Sequence, residues 1–341
     1  MSRPLPRTVV VHHRSGIGDL IWHIPYLRAM AARSRDGKLS LIARPSCRAA
    51  EVLAAEPWLE EVIEYDRRPR AGEQRSGEHD SLLAQWGMVQ QLRARKFDRI
   101  YIFSSRARYA ALALLAGIPE RAGFGFGLME RLLLNRPPHI RPYAGSGNWV
   151  YPEATAFAQA QGLVEGPIVP RMAVLPASLK RAAQDLAAFP GPRIAFSIGT
   201  SEARKHWGNA RFAALASALV ARGGSVILLG GPAEQAVAAA IVGAVDAALQ
   251  ARILVSAQPS IQRSAALLRQ CDFCVGNDTG VLNMAVANGI PALGLFGATP
   301  PLAHDPLLHS HVGSGMDDIP VEAVLARLEE LLTRVRPQPV E

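Results

Sequence analysis

The chain holds little that would suit export, a membrane span or redox chemistry. Only three of its 341 residues are cysteine. Cys271 and Cys274 form a C-x-x-C, but no second pair and no H-x-x-x-H completes a four-ligand zinc site. The motif lies in QCDFCVGND, an apolar run entering a loop, and reads as buried, reduced thiols. Aromatic residues make up 6% and are not interleaved with the basic ones, so no nucleic-acid partner is expected. No apolar run approaches the ~18 residues of a spanning helix. The three valines near the start are too few for a signal-peptide core, and a cytoplasmic protein is expected. No D-x-D pair is present to hold a divalent cation, and neither a metal nor a cofactor is expected.

What is present is basic charge, unevenly spread. Residues 1–170 carry 23 Lys/Arg against 16 Asp/Glu, whereas residues 171–341 carry 14 against 13. The excess gathers at Arg67, Arg68 and Arg70, at Arg93, Arg95 and Lys96, and at Arg131, Arg136 and Arg141. Arginines on solvated helix faces would account for any one cluster. A one-sided basic half also suits an anionic partner, such as a phosphorylated glycolipid or glycan, and peripheral contact with the inner membrane surface.

Short β-rich runs alternate with helical runs along the whole chain, which implies an α/β protein with parallel sheets covered by helices. RTVVVHH, KLSLIARP, EVIEYD and FDRIYIFS read as strands of a first domain, residues 1–170. RIAFSIG, SVILLGG, RILVSA, DFCVGN and PALGLFG read as strands of a second, residues 171–341. The proline-rich GLVEGPIVPRMAVLPAS between them reads as a linker. Helices are expected at Asp19–Arg33, Leu82–Arg95, Asn209–Arg222, Ala233–Ala248, Ser260–Arg269, Thr279–Asn288 and Val321–Arg334. Two doubly wound domains bind ligands beyond the carboxyl ends of their strands.

Four segments carry chemistry. HRSGIGDL joins the first strand to the first helix. Gly16 and Gly18 permit close backbone approach to a ligand, Ser15 adds a hydroxyl, and Asp19 opens the helix. An N-cap role for Asp19 competes with that of a general base taking a proton from an attacking hydroxyl. Position 21 is isoleucine rather than a third glycine, which argues against a dinucleotide fingerprint. SIGTSEARKHW offers the hydroxyls of Thr200 and Ser201 and the cation of Lys205 for phosphate oxygens. In LGGPAE, Gly231 permits a bend and Glu234 could accept from both hydroxyls of a ribose, or simply complement a helix dipole. GNDTG sets Asp278, Thr279 and Gly280 at a helix start, where backbone amides suit a diphosphate. With no metal motif, charge on a leaving diphosphate would fall to Lys205 and those amides.

In order and at this spacing, GIGDLIWHIPYLRAM, GTSEARKHWGNARFAAL, LLGGPAEQ and GNDTGVLNMAVANGIPALGLFGAT resemble glycosyltransferase family nine, the ADP-heptose:lipopolysaccharide heptosyltransferases, from about Thr8 to Leu332. The resemblance implies a GT-B fold: an N-terminal acceptor-binding and a C-terminal nucleotide-sugar-binding Rossmann-like domain facing across a cleft. The last helix would be free to pack on the first domain. It implies a metal-independent, inverting transfer with Asp19 as catalytic base. It places Thr200, Ser201, Lys205, Asp278, Thr279, Gly280 and Asn283 at the donor phosphates and sugar, and Glu234 at the ribose. Two positions depart from the family pattern. Asn283 stands where a histidine is usual, and Trp22 followed by His23 stands where another is. Both bear on the identity of the donor sugar. A nucleotide-sugar epimerase or hydrolase on the same fold, or a non-catalytic sugar-nucleotide-binding protein, remains an alternative.

Overall fold

The computed structural model describes residues 4–67, 75–200, 202–257 and 260–335. Arg68, Arg70 and Ser201, three of the candidate residues above, lie outside them. The chain divides into two compact units, Met1–Pro170 and Arg171–Glu341.

In the first unit, β1 (Thr8–His12), β2 (Leu39–Ala43), β3 (Leu59–Glu64), β4 (Arg99–Phe103) and β5 (Glu120–Gly123) form one sheet. Its order is β3-β2-β1-β4-β5 and every pairing is parallel. A sheet covered on both faces needs strands that are apolar throughout, and β1 and β2 are buried at every position. The crossovers and flanks are α1 (Ile17–Ala31), α2 (Ala49–Val52), α3 (Leu82–Arg95), α4 (Ala107–Leu115), α5 (Leu128–Leu133) and α6 (Val150–Ala160). Helix α1 packs against α6, and Tyr26 and Thr155 share a hydroxyl–hydroxyl hydrogen bond between them. Phe103, Phe124 and Phe157 meet edge to face in the core. Burying such a ring contributes about 1.5–3 kcal/mol.

The second unit begins with α7 (Pro176–Asp185), whose Pro176 opens the helix where a backbone N–H is dispensable. Then come β6 (Arg193–Ser197), α8 (Asn209–Ala221), β7 (Ser225–Gly230), α9 (Gln235–Gly243), α10 (Ala247–Gln250) and β8 (Ile253–Ala257). They are followed by α11 (Ile261–Leu268), β9 (Phe273–Asn277), α12 (Gly280–Ala287), β10 (Ala292–Phe296), β11 (Leu308–Val312) and α13 (Val321–Val335). The sheet order is β11-β10-β9-β6-β7-β8, again wholly parallel. Trp207, Phe196, Phe212 and Phe273 anchor its core. Cys271 and Cys274 are buried free thiols, and burial raises Cys271 to about 12.

The single helix expected over Ala233–Ala248 is three pieces instead. Pro232–Glu234 forms a 3-10 turn, and Asp246 caps α10 by accepting from the Ala248 amide at 2.9 Å. Helix α13 lies along α8, and Val324, Leu328 and Leu331 complete the second unit's own core. Its apolar stripe is already satisfied there.

Candidate active site

Both sheets reverse winding direction beside their first strand. In the first unit this switch point lies between β1 and β4, and in the second between β6 and β9. Loops leaving the carboxyl ends of such strands form the ligand-binding edge of a doubly wound sheet. The candidate residues lie there in each unit.

In the first unit the chain leaves β1 through His13, Arg14 and Ser15 and enters α1. Gly16 is the N-cap, with extended backbone and no capping side chain, and Asp19 falls in the first turn. A Cβ on Gly16 would come within 3.0 Å of Asp19 Oδ2, so the absence of a side chain leaves room for the carboxylate. Asp19 is therefore not the N-cap, and Ser15, Gly16 and Gly18 precede it in the chain. Beside it the Arg14 guanidinium stands 5.2 Å from the Trp149 ring. Burial weakens Arg14 as a base, while the charges of Asp19 and Glu153 support its cation.

Three histidines brace this loop. His12 ends β1 and His23 lies one helical turn beyond Asp19, with their Nδ1 atoms 2.9 Å apart in the core. Such a contact needs a hydrogen on one nitrogen and a lone pair on the other, so the accepting ring is neutral, and burial disfavours charge on its partner. Burial, then the nearby charges of His13 and Arg14, lowers His23 to about 3, and burial and His23 lower His12 well below its usual range. His13 Nδ1 donates to the Phe103 carbonyl at 2.7 Å, joining the ends of β1 and β4. Burial and Arg14 bring His13 to about 4. The end of β1 and helix α1 are thus held together by a buried imidazole–imidazole hydrogen bond.

In the second unit Thr279 is the N-cap of α12, accepting from the Val281 amide at 3.2 Å. Its hydroxyl also lies 2.6 Å from Ser197 Oγ at the end of β6. The strands approach closely here. Gly276 has φ +147°, and a Cβ on it would lie 2.4 Å from the Ser197 carbonyl oxygen. Gly280 is the first residue of α12, and its amide is among those that a helix start leaves without an intrahelical acceptor. Asn283, one turn on, is buried and donates from Nδ2 to the Thr279 carbonyl at 3.0 Å. Where the family pattern has a histidine, this chain has an amide that buttresses the turn.

Lys205 Nζ lies 3.1 Å from Glu202 Oε1 and 3.4 Å from Asp278 Oδ2, and Thr299 Oγ1 donates to the same Asp278 oxygen at 3.1 Å. The β6, β9 and β10 loops therefore converge on one lysine–aspartate pair. Thr200 uses its hydroxyl locally, donating to the Glu202 carbonyl at 2.9 Å and accepting from the Glu202 amide at 3.2 Å. Glu234 is tucked beneath Gly199 and Gly230, and its Oε2 accepts from the Gly231 amide at 2.7 Å. Its Oε1 has no hydrogen bond among the described residues, which leaves one carboxylate oxygen for a ligand hydroxyl. Among the same residues no group of three or more His, Cys, Asp or Glu is placed to hold a metal ion.

The sequence pattern gave no role to Asn277, Ser197, Glu202 or Thr299. Asn277 is fully buried. It accepts from the Trp207 amide at 3.1 Å and donates to the carbonyls of Ile198 and Gly199 at 3.0 and 3.2 Å. It thereby fixes both ends of the loop that carries Thr200 and Lys205. A polar side chain closing the apolar strand FCVGN was the available signal, since burying an unbonded amide is costly. The pair of hydroxyls at the switch point is Ser197 with Thr279, which no local spacing could reveal.

Two wholly parallel α/β units with ligand-binding strand ends define the class: the fold is GT-B, and solved heptosyltransferases share it. The structure of Escherichia coli ADP-heptose LPS heptosyltransferase II aligns with a TM-score of 0.74 at 22% identity, covering 96% of this chain and 99% of that one. E. coli heptosyltransferase WaaC with ADP-2-deoxy-2-fluoro heptose aligns with a TM-score of 0.70 at 21% identity, covering 95% and 99%. In sequence the chain is 24% identical over 316 residues to lipopolysaccharide heptosyltransferase 2 of E. coli K12, spanning 87% of this chain and 86% of that protein. The model of glycosyltransferase family 9 (heptosyltransferase) matches residues 86–327. The chain belongs to that family and is a glycosyltransferase.

Proposed function

We propose that the protein transfers a heptose from ADP-heptose to an anionic lipopolysaccharide-core acceptor, by single displacement with inversion and without a metal ion. In the step, the Asp19 carboxylate takes the proton of an acceptor hydroxyl. That oxygen forms its bond to the anomeric carbon as the carbon–oxygen bond to the diphosphate breaks, and ADP departs. The first unit binds acceptor through the Arg14–Asp19 loop, and the second binds donor.

The observation that carries this reading is the cluster at the second unit's switch point. Ser197, Thr279, the first amides of α12 and the Lys205–Asp278 pair form one polar edge that carries the Lys205 cation, with Arg204 next to it on Glu202. A helix start and a lysine are what a leaving diphosphate requires. Lys205 would exchange Glu202 for phosphate, with Asp278 and Thr299 holding its position. Glu234 Oε1 would accept from the ribose. The relatives, an ADP-heptose LPS heptosyltransferase and a lipopolysaccharide heptosyltransferase, make ADP-heptose and lipopolysaccharide the donor and pathway to try first.

A binding panel of ADP, UDP, GDP and ADP-heptose, read by calorimetry and thermal shift, tests the donor. Selective stabilisation by ADP and ADP-heptose is expected. Preference for another nucleotide would replace the donor. Binding of ADP-heptose with no turnover in the presence of any core acceptor would favour a non-catalytic protein, and turnover without acceptor would favour an epimerase or hydrolase.

A further inference from the structure

Helix α5 and the segment after it form a surface that folding leaves unexplained. In α5, Leu128, Met129 and Leu132 are 74%, 65% and 69% exposed. Three large apolar side chains in one helical turn and a half, all in water, make a contiguous apolar spot of the kind that marks an interaction site. Residues 134–149 then run to α6 without helix or strand. A connection that long inside a compact unit is commonly functional.

Charge settles the kind of partner. Between residues 121 and 149 there are four arginines and one acid. The acid, Glu130, is 2% exposed and is spent on the Phe126 amide at 3.0 Å. Arg121 is likewise spent on the carbonyls of Leu133 and Ile118. Arg131, Arg136 and Arg141 are exposed, and of these Arg131 donates Nε to the Gly125 carbonyl at 2.6 Å. Arg136 has only a 3.9 Å approach to Glu120, which is already bound by Arg99 at 2.6 Å. The basic cluster on α3 is different, because Arg95 is held by Glu61 and Arg93 lies over Trp86. Exposed apolar side chains in a segment that carries the unspent Arg136 and Arg141 and no exposed acid match an anionic bilayer, where the apolar side chains enter the acyl boundary and the guanidiniums meet phosphates. A second copy of this surface would set arginine against arginine.

The same segment ends at the catalytic loop. Tyr143 donates its amide to Glu153 at 3.2 Å, Glu153 supports the Arg14 cation, and Trp149 faces Arg14 beside Asp19. We infer that α5 and residues 134–149 seat the first unit on an anionic membrane surface, presenting Asp19 to the sugar headgroup of an acceptor anchored in that membrane. This builds on the transferase reading only in naming the acceptor as membrane-held.

The test is co-sedimentation of the full chain with vesicles of phosphatidylcholine alone or with phosphatidylglycerol added, alongside calorimetry with ADP. Binding to the anionic vesicles is expected, weakening with salt. Leu128→Ser/Met129→Ser/Leu132→Ser and, separately, Arg136→Glu/Arg141→Glu should each lower the partition coefficient at least tenfold and leave ADP affinity unchanged. Equal binding of wild type and both variants, or no binding to anionic vesicles, would overturn the inference. So would a dimer in sedimentation equilibrium that the leucine variant abolishes, since a second copy would then be the occupant. ADP affinity reports on the donor reading separately.

Discussion

Ser197 Oγ and Thr279 Oγ1 are 2.6 Å apart, so the last residue of β6 and the N-cap of α12 form one hydroxyl pair at the switch point of the second sheet. Replacing Thr279 by valine keeps the shape but removes both the cap and the partner. A stability loss of about 1 kcal/mol is expected from the cap, together with weaker ADP binding. Ser197→Ala leaves the cap intact and should cost less. Thermal melts with and without ADP measure both, and equal effects from the two variants would argue that the cap is not the important bond.

Lys205 is held by Glu202 and Asp278, and only the first of these acids is expendable in the account. Lys205→Ala should weaken ADP binding by about 1.5–3 kcal/mol, the range of a charge-assisted hydrogen bond. Glu202→Gln removes a competitor for the cation and should leave ADP affinity equal or better. Calorimetry decides, and an affinity loss in Glu202→Gln as large as in Lys205→Ala would place the phosphate elsewhere.

Asn277 satisfies one amide and two carbonyls inside the protein. Asn277→Ala should destabilise by about 1–3 kcal/mol through the groups it leaves unpaired, and should also loosen the loop that carries Lys205. Urea melts report the first effect and ADP affinity the second.

Gly16→Ala should act on turnover rather than on folding. The backbone there is extended, with φ −88°, so alanine is unstrained, yet its Cβ would crowd Asp19 Oδ2 at 3.0 Å. An unchanged melting temperature with kcat reduced several-fold is the expected pattern. A lower melting temperature with unaltered kcat would contradict it.

His12, His13 and His23 are all lowered, with His13 near 4 and His23 near 3 against 6.5 when unfolded. Below about pH 6.5 the unfolded chain therefore binds protons that the folded one refuses. Their stabilising contribution is complete above that pH and declines as pH falls toward 4 and then 3, by up to about 1.4 kcal/mol per pH unit for each ring. Melting temperature should fall between pH 7 and 5, and less steeply in His12→Leu/His23→Leu.

The layout of both sheets was legible because a wholly buried parallel strand must be apolar along its length, as TVVVH and SVILLG are. The helix Leu82–Arg95 was legible to the residue, since Ser81 caps it and Lys96 ends it in a left-handed turn. Strand β5, ERAG, and strand β11, LHSHV, escaped because neither carries an apolar run and each is buried only in part. The site was visible as four motifs, but its connections were not. Spacing within a motif cannot show that Ser197 meets Thr279, that Asp278 draws in Thr299, or that Asn283 turns back on its own helix.

The central claim is that Asp19 is the base of a glycosyl transfer from a nucleoside-diphosphate sugar. The most direct measurement is ADP release from ADP-heptose in the presence of core acceptor, for wild type and Asp19→Asn, with ADP-heptose affinity measured in parallel. The account predicts that turnover falls by about 10²–10⁴-fold, the usual share of general base catalysis, while affinity stays within a factor of two or three. Turnover in Asp19→Asn close to that of wild type, with donor bound equally, would contradict it.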